Sequence, residues 1–491
     1  MKKIFLIVAL NISFLSIAQE MTTADALRYA VENMNGTARF RGMSGAFGAV
    51  GGDLSAISIN PAGSLFFNNN FASVTVSSFN NSNNANYFGT KSKENFSTLD
   101  LNQVGAVLVF SDASGKSDWN KISVALNYDN TNNFDNRMFI AGRNPSNSIS
   151  QYFVDQANFI ANTPFNDYQY QMGYDTYIIN PSEDDPNVFV SNVSPGGNYY
   201  QDYFSTSNGY NGKLTANVAT SYKDKLFLGI NLNAHFTDYV TTSRLYEYNS
   251  NPENPNTQPT VREIVFDNQL STYGSGFSFN LGAIYKINES LRIGAAYESP
   301  TWYRLNYELV QDLYTYGNVN VPIEDTNRTY YGPIFVFPTY KLRTPSKITA
   351  SATYIFNKKG LISIDLAEKD YSNTEFKNTN QNDFRDLNSQ MSLELKKAFE
   401  IRIGGEYKIK QWSLRGGYRF EESPYETGDI IGDLTGYSAG VGYNFGESKL
   451  DLSYANSHRN YNQNLISSGM TDTARIRNVQ NNVTLTYSIN F

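Results

Sequence analysis

From Val483 to Phe491 apolar and polar residues alternate without a break. Val483, Leu485, Tyr487, Ile489 and Phe491 fall on one side, and Thr484, Thr486, Ser488 and Asn490 on the other. A period of two puts every apolar side chain on one face of a strand. Such a strand suits a wall with lipid on one side and water on the other. The pattern recurs. Leu226, Leu228, Ile230, Leu232 and Phe236 oppose Asn231, Asn233 and His235, and Ile348, Ala350, Ala352, Tyr354 and Phe356 oppose Thr349, Ser351 and Thr353. It predicts fourteen strands, at about 71–79, 99–111, 119–129, 212–223, 225–239, 270–287, 291–305, 346–357, 360–371, 399–409, 411–422, 434–446, 448–459 and 479–491.

The connections alternate as well. Lys223-Asp224-Lys225, Asn288-Glu289-Ser290, Asn357-Lys358-Lys359, Lys410-Gln411 and Gly446-Glu447-Ser448 are short. The stretches 80–98, 130–211, 240–269, 306–345, 372–398, 423–433 and 460–478 are long and polar. Short periplasmic turns and long external loops mark an outer-membrane barrel, and an even strand count returns both chain ends to the periplasm. Tyr222, Tyr285, Tyr354, Tyr407, Tyr443 and Tyr487 fall near the periplasmic rim, where aromatic rings form an interfacial girdle. The expected fold is therefore all-β: a transmembrane antiparallel β-barrel of about 14 strands, spanning 70–491.

Composition narrows the function classes. Mean hydropathy is -0.44. Past the N-terminal stretch no run approaches the roughly 18 apolar residues of a spanning helix. The net charge of -7 argues against nucleic acid, and the absence of Cys removes disulfides, thiolate metal sites and thiol nucleophiles. Residues 1–18 read as a secretory signal: Lys2 and Lys3, an apolar stretch from Ile4 to Leu15, then Ser16-Ile17-Ala18 before the cut. The two histidines, His235 and His458, fall on opposite sides of the wall, so no Ser-His chemistry is expected. The chain reads as a non-enzyme with no cofactor and no metal site.

Residues 19–69 do not alternate. Thr22 to Asp25 forms a capping box, and Ala24 to Val31 suits a short helix. Seven glycines then lie between Gly36 and Gly63, which permits tight bends in a compact plug, or hatch, inside the lumen. No Gly-Lys-Ser/Thr closes the run, so it is not a phosphate loop. The stretch Gly36-Thr-Ala-Arg-Phe-Arg-Gly-Met-Ser-Gly-Ala-Phe-Gly-Ala-Val-Gly-Gly-Asp-Leu-Ser-Ala-Ile-Ser-Ile-Asn60-Pro61-Ala62-Gly63 resembles the hatch of the FadL/TodX family. These are outer-membrane transporters for long-chain fatty acids and hydrophobic compounds. Asn60-Pro61-Ala62 matches the family's NPA motif, and Tyr297-Glu298-Ser299-Pro300 is similar to its Tyr-x-Ser-Pro pattern. The resemblance implies fourteen strands, an N-terminal hatch, external loops that form a greasy entry groove, and sideways release between strands.

Parity supplies candidate site residues. Arg402, Glu406, Arg415 and Arg419 point into the lumen. A two-residue turn at Lys410-Gln411 sets Glu406 opposite Arg415 and Arg402 opposite Arg419. Two cations side by side need an anion. Arg402, Arg419 and Arg415 could serve a passing carboxylate, or belong to a salt-bridge belt that holds the hatch through Asp53. In 130–211, Ile149, Tyr152, Phe153, Phe159 and Ile160 share a helical stripe that could capture substrate or pack loops together. The expected function is passive uptake of hydrophobic small molecules of the long-chain fatty acid or aromatic hydrocarbon type. The alternative is a surface adhesin or binding receptor whose loops carry the function without transport. Expected partners are the substrate, outer-membrane lipid and lipopolysaccharide, periplasmic chaperones and the barrel-insertion machinery.

Overall fold

A computed structural model describes residues 21–112, 117–160, 168–252, 260–317, 327–357, 359–378 and 384–491. The expected signal at 1–18 lies outside them. Fourteen antiparallel wall strands close into a barrel. They are β1 (Phe71–Tyr87), β2 (Thr90–Ser111), β3 (Trp119–Asn133), β4 (Tyr199–Tyr222), β5 (Leu226–Asn249), β6 (Val261–Lys286) and β7 (Leu291–Glu298). The remaining seven are β8 (Lys347–Phe356), β9 (Gly360–Asp370), β10 (Lys397–Ile409), β11 (Trp412–Glu421), β12 (Ile431–Asn444), β13 (Ser448–Asn464) and β14 (Thr473–Asn490). The first pairs with the last, Phe71 against Asn490, so the wall has no free edge there. Outward positions such as Leu232, Phe277, Leu281, Tyr407 and Trp412 are exposed, as an apolar belt requires.

Each predicted strand except 291–305 is present whole, and several are longer than their apolar period. The stretch 80–98, expected as a loop, instead completes a β1–β2 hairpin with Tyr87 opposite Thr90. Phe88 and Gly89 turn the chain with φ of 47° and 83°, the left-handed pair that matches strand twist. Beyond the lipid neither face need be apolar, so the sequence period vanishes while the ladder continues. β4, β5 and β6 extend past their predicted ends for the same reason.

The candidate strand 291–305 is broken. β7 ends at Glu298, and the chain resumes as Trp302–Gly317, paired with the upper part of β6 and with Phe335–Arg343. Pro300 has no N–H to give the ladder. Its neighbours re-tie the break: Ser299 N–H donates to Phe279 C=O at 2.9 Å, and Thr301 N–H donates to Thr344 Oγ1 at 2.9 Å.

The N-terminal segment lies inside the barrel. It comprises α1 (Thr23–Ala30), α2 (Ala38–Gly42), α3 (Ala56–Ile59) and a 3-10 turn, Pro61–Phe66. The capping box at α1 is present: Asp25 N–H donates to Thr22 Oγ1, and Thr22 N–H donates to the Asp25 carboxylate at 2.9 Å. At the long-loop end, α4 (Ser150–Ile160), α5 (Tyr168–Asp175) and the extended strands bury an apolar core of their own. A further helix, α6 (Arg385–Glu394), buries Met391 in the apolar cluster that also takes Leu27 of α1.

Candidate functional site

The Asn60–Gly63 corner ties the plug to the wall. The Asn60 amide donates to Gly48 C=O at 2.8 Å within the plug, and to Ala283 C=O at 3.1 Å on β6. Its Oδ1 accepts Ala62 N–H at 3.2 Å, which starts the 3-10 turn. Pro61 C=O accepts from the Asn217 amide at 3.0 Å on β4. Ala62 and Gly63 are fully buried beside them. The wall opposite is made of glycine. A Cβ on Gly282 would stand 2.1 Å from Asn60 Oδ1, and one on Gly229 2.5 Å from Ala62 N. Gly294, Gly404 and Gly417 make the same room for Gly48, Met43 and Ser44. These inward glycines were readable from strand parity, because an interior glycine marks a close backbone approach.

The register of β10 and β11 sets Arg402 opposite Arg419 and Glu406 opposite Arg415, as the turn count requires. All four are buried or nearly so. The anion that two adjacent cations need is Glu400, two positions before Arg402 on the same inward face. It pairs with Arg402, with Lys347 at 2.7 Å and with Arg419 at 3.8 Å. Arg419 also pairs with Glu421. Arg415 reaches Glu406 at 2.7 Å and Asp451 at 2.6 Å. The belt grips the plug, but not through Asp53. Asp53 is used inside the plug, accepting Thr37 Oγ1 at 2.8 Å and Ser55 N–H at 2.9 Å. Arg39 bridges instead, to Glu406 at 2.9 Å and to Gly52 C=O at 3.0 Å. Asp365 adds a second clasp, accepting the Phe47 and Gly48 N–H groups, each at 2.9 Å. Arg41 differs. It is 1% exposed, its guanidinium lies 3.4 Å from Ser77 Oγ, and its Nε has no protein partner among the described residues.

Above the glycine turns the lumen becomes apolar. Tyr303, Tyr307, Tyr340, Leu342, Phe376 and Phe384 line a chamber filled by Met21, Leu27 and Tyr29 of the N-terminal segment. Tyr29 lies against Tyr303 with ring centroids 5.5 Å apart. Polar ties hold α1 at its ends: Thr23 Oγ1 donates to Glu394 at 2.7 Å, and Lys369 Nζ donates to Ala30 C=O at 2.6 Å. At the short-turn end a cavity of about 910 Å³ opens beneath the plug. Lys286 lies over Phe227 there at 4.8 Å, and Arg292 over Phe66 at 4.3 Å.

One seam of the wall is incomplete. β2 pairs with β3 only from Gln103 to Ser111, and above that β2 pairs with β1 alone. Polar side chains fill the parting. Asp100 accepts from Asn130 and from Asn133, the latter at 3.1 Å. The segment after α1 lines it: Asn33 N–H donates to Thr131 C=O at 3.2 Å, and the Asn35 amide donates to Asn130 C=O at 2.6 Å.

Of the loop stripe, Ile149, Tyr152 and Phe153 are buried in the external core, with Phe153 and Phe266 ring centroids 5.6 Å apart. Phe159 is 41% exposed and lies off that face, because Ala157 takes the buried position. The Ile160 side chain lies outside the described residues. Glu247, unremarkable in sequence, closes this core. It is 1% exposed and accepts Ile149 N–H at 2.8 Å, Gln201 Nε2 at 2.7 Å and Ser148 Oγ. Burial pushes its carboxyl up to about 7, against the pull of those three donors. The outward Arg244–Asp267 pair, 2.6 Å, sets this level beyond the hydrocarbon.

The model of one family, described as outer membrane protein transport protein (OMPP1/FadL/TodX), matches residues 192–490. That span lies wholly beyond the plug motif. No curated protein matches by sequence. Among solved structures, a Pseudomonas aeruginosa FadL homologue is similar at 13% identity, covering 94% of this chain and 100% of its own, with a TM-score of 0.55. The P. putida toluene transporter TodX has 14% identity, covers 94% and 99%, and gives a TM-score of 0.48. The Ralstonia pickettii toluene transporter TbuX has 14% identity, covers 94% and 99%, and gives 0.46.

Proposed function

The chain belongs to the outer membrane protein transport family, OMPP1/FadL/TodX, and is an outer-membrane barrel; on that premise we propose passive uptake of fatty-acid-like or aromatic hydrocarbon passengers. The observation that carries this reading is the aromatic chamber in the lumen that α1 of the N-terminal segment fills. A lumen lined only by Asn, Ser, Thr and charges would suit polar solutes. An apolar chamber inside it suits a passenger that water excludes.

Three stages follow. External loops receive the molecule, with Phe159 exposed toward it and Ile149, Tyr152 and Phe153 holding the loops in shape. The molecule then enters the chamber by displacing the apolar side chains of α1, whose burial there it replaces. The plug shifts, and the passenger leaves beneath it or sideways through the β2–β3 parting, where no ladder between β2 and β3 continues among the described residues and residues 33–35 line the gap. A passenger with a carboxylate would meet Arg41, which pairs with no protein carboxylate among the described residues. Arg402, Arg415 and Arg419 already have theirs.

Photo-crosslinking tests this. A fatty acid and an alkylbenzene, each carrying a diazirine at the far end, are given to cells bearing the protein. Label on Tyr303, Tyr340 or Phe376 is expected. Label confined to lipid-facing residues such as Phe277 and Leu281 would contradict a lumenal route.

A further inference from the structure

The outside of the wall carries a basic patch that no transport stage uses. On β14 the outward positions run from Ile489 up to Val479, apolar without a break as far as Val483 and then Asn481 and Val479. At ~3.3 Å per residue and a tilt of ~40°, that span covers about 25 Å of depth, of which the unbroken apolar run takes about 15 Å and the amide-bearing level above it the rest. The next two outward positions are Arg477 and Arg475. Register aligns them with neighbours on β1, β2 and β13. One row reads Lys93, Asn84, Arg477, Asn460. The row above reads Lys91, Asn86, Arg475, Asn462.

Four cations therefore stand at the corners of a rectangle. Across two strand spacings it measures about 10 Å, and along the strands about 7 Å. Its centre holds the amides of Asn84 and Asn86. A shallow concavity of about 590 Å³ opens at this level, bounded by Lys91, Lys93, Arg475, Arg477 and His458. None of the four cations is ion-paired among the described residues. Glu94 faces the opposite side of β2. The exposed Asp433 lies across β13, on β12, where it accepts Ser423 N–H at 2.8 Å.

Like charges this close are unfavourable unless an anion joins them. The position identifies the anion. Below the patch are Leu99, Val483 and Tyr454, exposed at 74%, 42% and 47%, where acyl chains lie. Between the two levels the outward residues are mostly amides and hydroxyls, Asn80, Asn95, Asn456 and Asn481 among them, which suit sugar hydroxyls. The patch sits where long basic arms reach phosphate esters on a saccharide head group. Arginine holds such groups with two parallel hydrogen bonds.

We propose that Lys91, Lys93, Arg475 and Arg477 form a binding site for the phosphates of an outer-leaflet glycolipid of the lipid A type, whose acyl chains lie on the apolar wall below. The site holds lipid against the β2–β1–β14–β13 sector, on the same side of the barrel as the β2–β3 parting. The experiment measures binding of bis-phosphorylated lipid A, dephosphorylated lipid A and inorganic phosphate to the purified full-length protein in neutral detergent, by native mass spectrometry. Bis-phosphorylated lipid A should bind tightest, and K91Q/K93Q/R475Q/R477Q should weaken it at least about tenfold. Dephosphorylated lipid A should bind weakly to both proteins alike. The double variant K93Q/R477Q should weaken binding by an intermediate factor, and it decides the matter if the quadruple variant does not assemble. Equal binding of lipid A by wild type and variants would overturn the site, as would equal binding of the phosphorylated and dephosphorylated forms. Displacement of lipid A by millimolar inorganic phosphate would overturn the glycolipid assignment in favour of a free-anion site.

Discussion

The Asn60 carboxamide acts at both ends: its oxygen starts a turn, and its nitrogen holds the plug to the wall. Asn60→Ala removes these bonds and leaves buried carbonyls at Gly48 and Ala283 without that donor, at about 1–3 kcal/mol. The rest of the plug still packs, so the barrel should assemble with a modest rise in ion conductance in planar bilayers. Gly282→Val acts from the other side. Its Cβ would collide with Asn60 Oδ1 at 2.1 Å, and backbone in a closed wall cannot yield cheaply. Conductance should rise more than with Asn60→Ala; unchanged conductance would show that the plug is not seated against β6. The ionic belt gives a second expectation. R402Q/R419Q leaves Glu400 buried with Lys347 as its remaining partner, and breaking such a pair costs about 3–5 kcal/mol. Uptake of carboxylate and neutral passengers should fall together. Selective loss for the carboxylate would give these arginines a role in recognition. The facing of Arg402 and Arg419 was legible from a turn and a period of two. That Arg39 rather than Asp53 meets the wall was not, because a glycine-rich segment has no period from which to read direction.

At the scale of elements, lipid writes the strand period and water erases it. β14 reads cleanly from Val483 down, whereas the Asn-rich upper halves of β1 and β2 resemble loop although they pair residue by residue to Tyr87–Thr90. The break between β7 and Trp302 was signalled only by Pro300, and the apolar run on both sides concealed it. Helix α4 was legible as a stripe, but its anchor was not, since Glu247 lies far away in sequence. That anchor makes the external core sensitive to pH. The Glu247 carboxyl titrates near 7 when folded and lower when unfolded, so the folded state binds the extra proton between those values. Its stabilisation is complete below the unfolded pKa and is lost as pH rises through about 7, on the order of a few kcal/mol. Protease cleavage within 150–160 on intact cells should therefore quicken from pH 5 to pH 8, and Glu247→Gln should flatten that dependence. Faster cleavage at the acid end would reverse the sign and refute the assignment.

For the whole molecule, three layers divide the work. An external apolar core fixes the loops, an aromatic chamber receives α1, and a glycine-lined wall seats the plug. Deleting 19–63 while keeping residues 1–18 and the strands should leave an inserted, heat-modifiable barrel, since the wall closes through β1 and β14 without the plug. Its conductance should rise well above wild type. The most direct test of the whole account is uptake. Cells with and without the protein are given a radiolabelled long-chain fatty acid, a monoaromatic hydrocarbon and a polar solute of similar mass, and initial rates are compared. Faster entry of at least one hydrophobic compound, with the polar solute unchanged, is the predicted result. Equal hydrophobic uptake by both cell types, or a gain only for the polar solute, would contradict it.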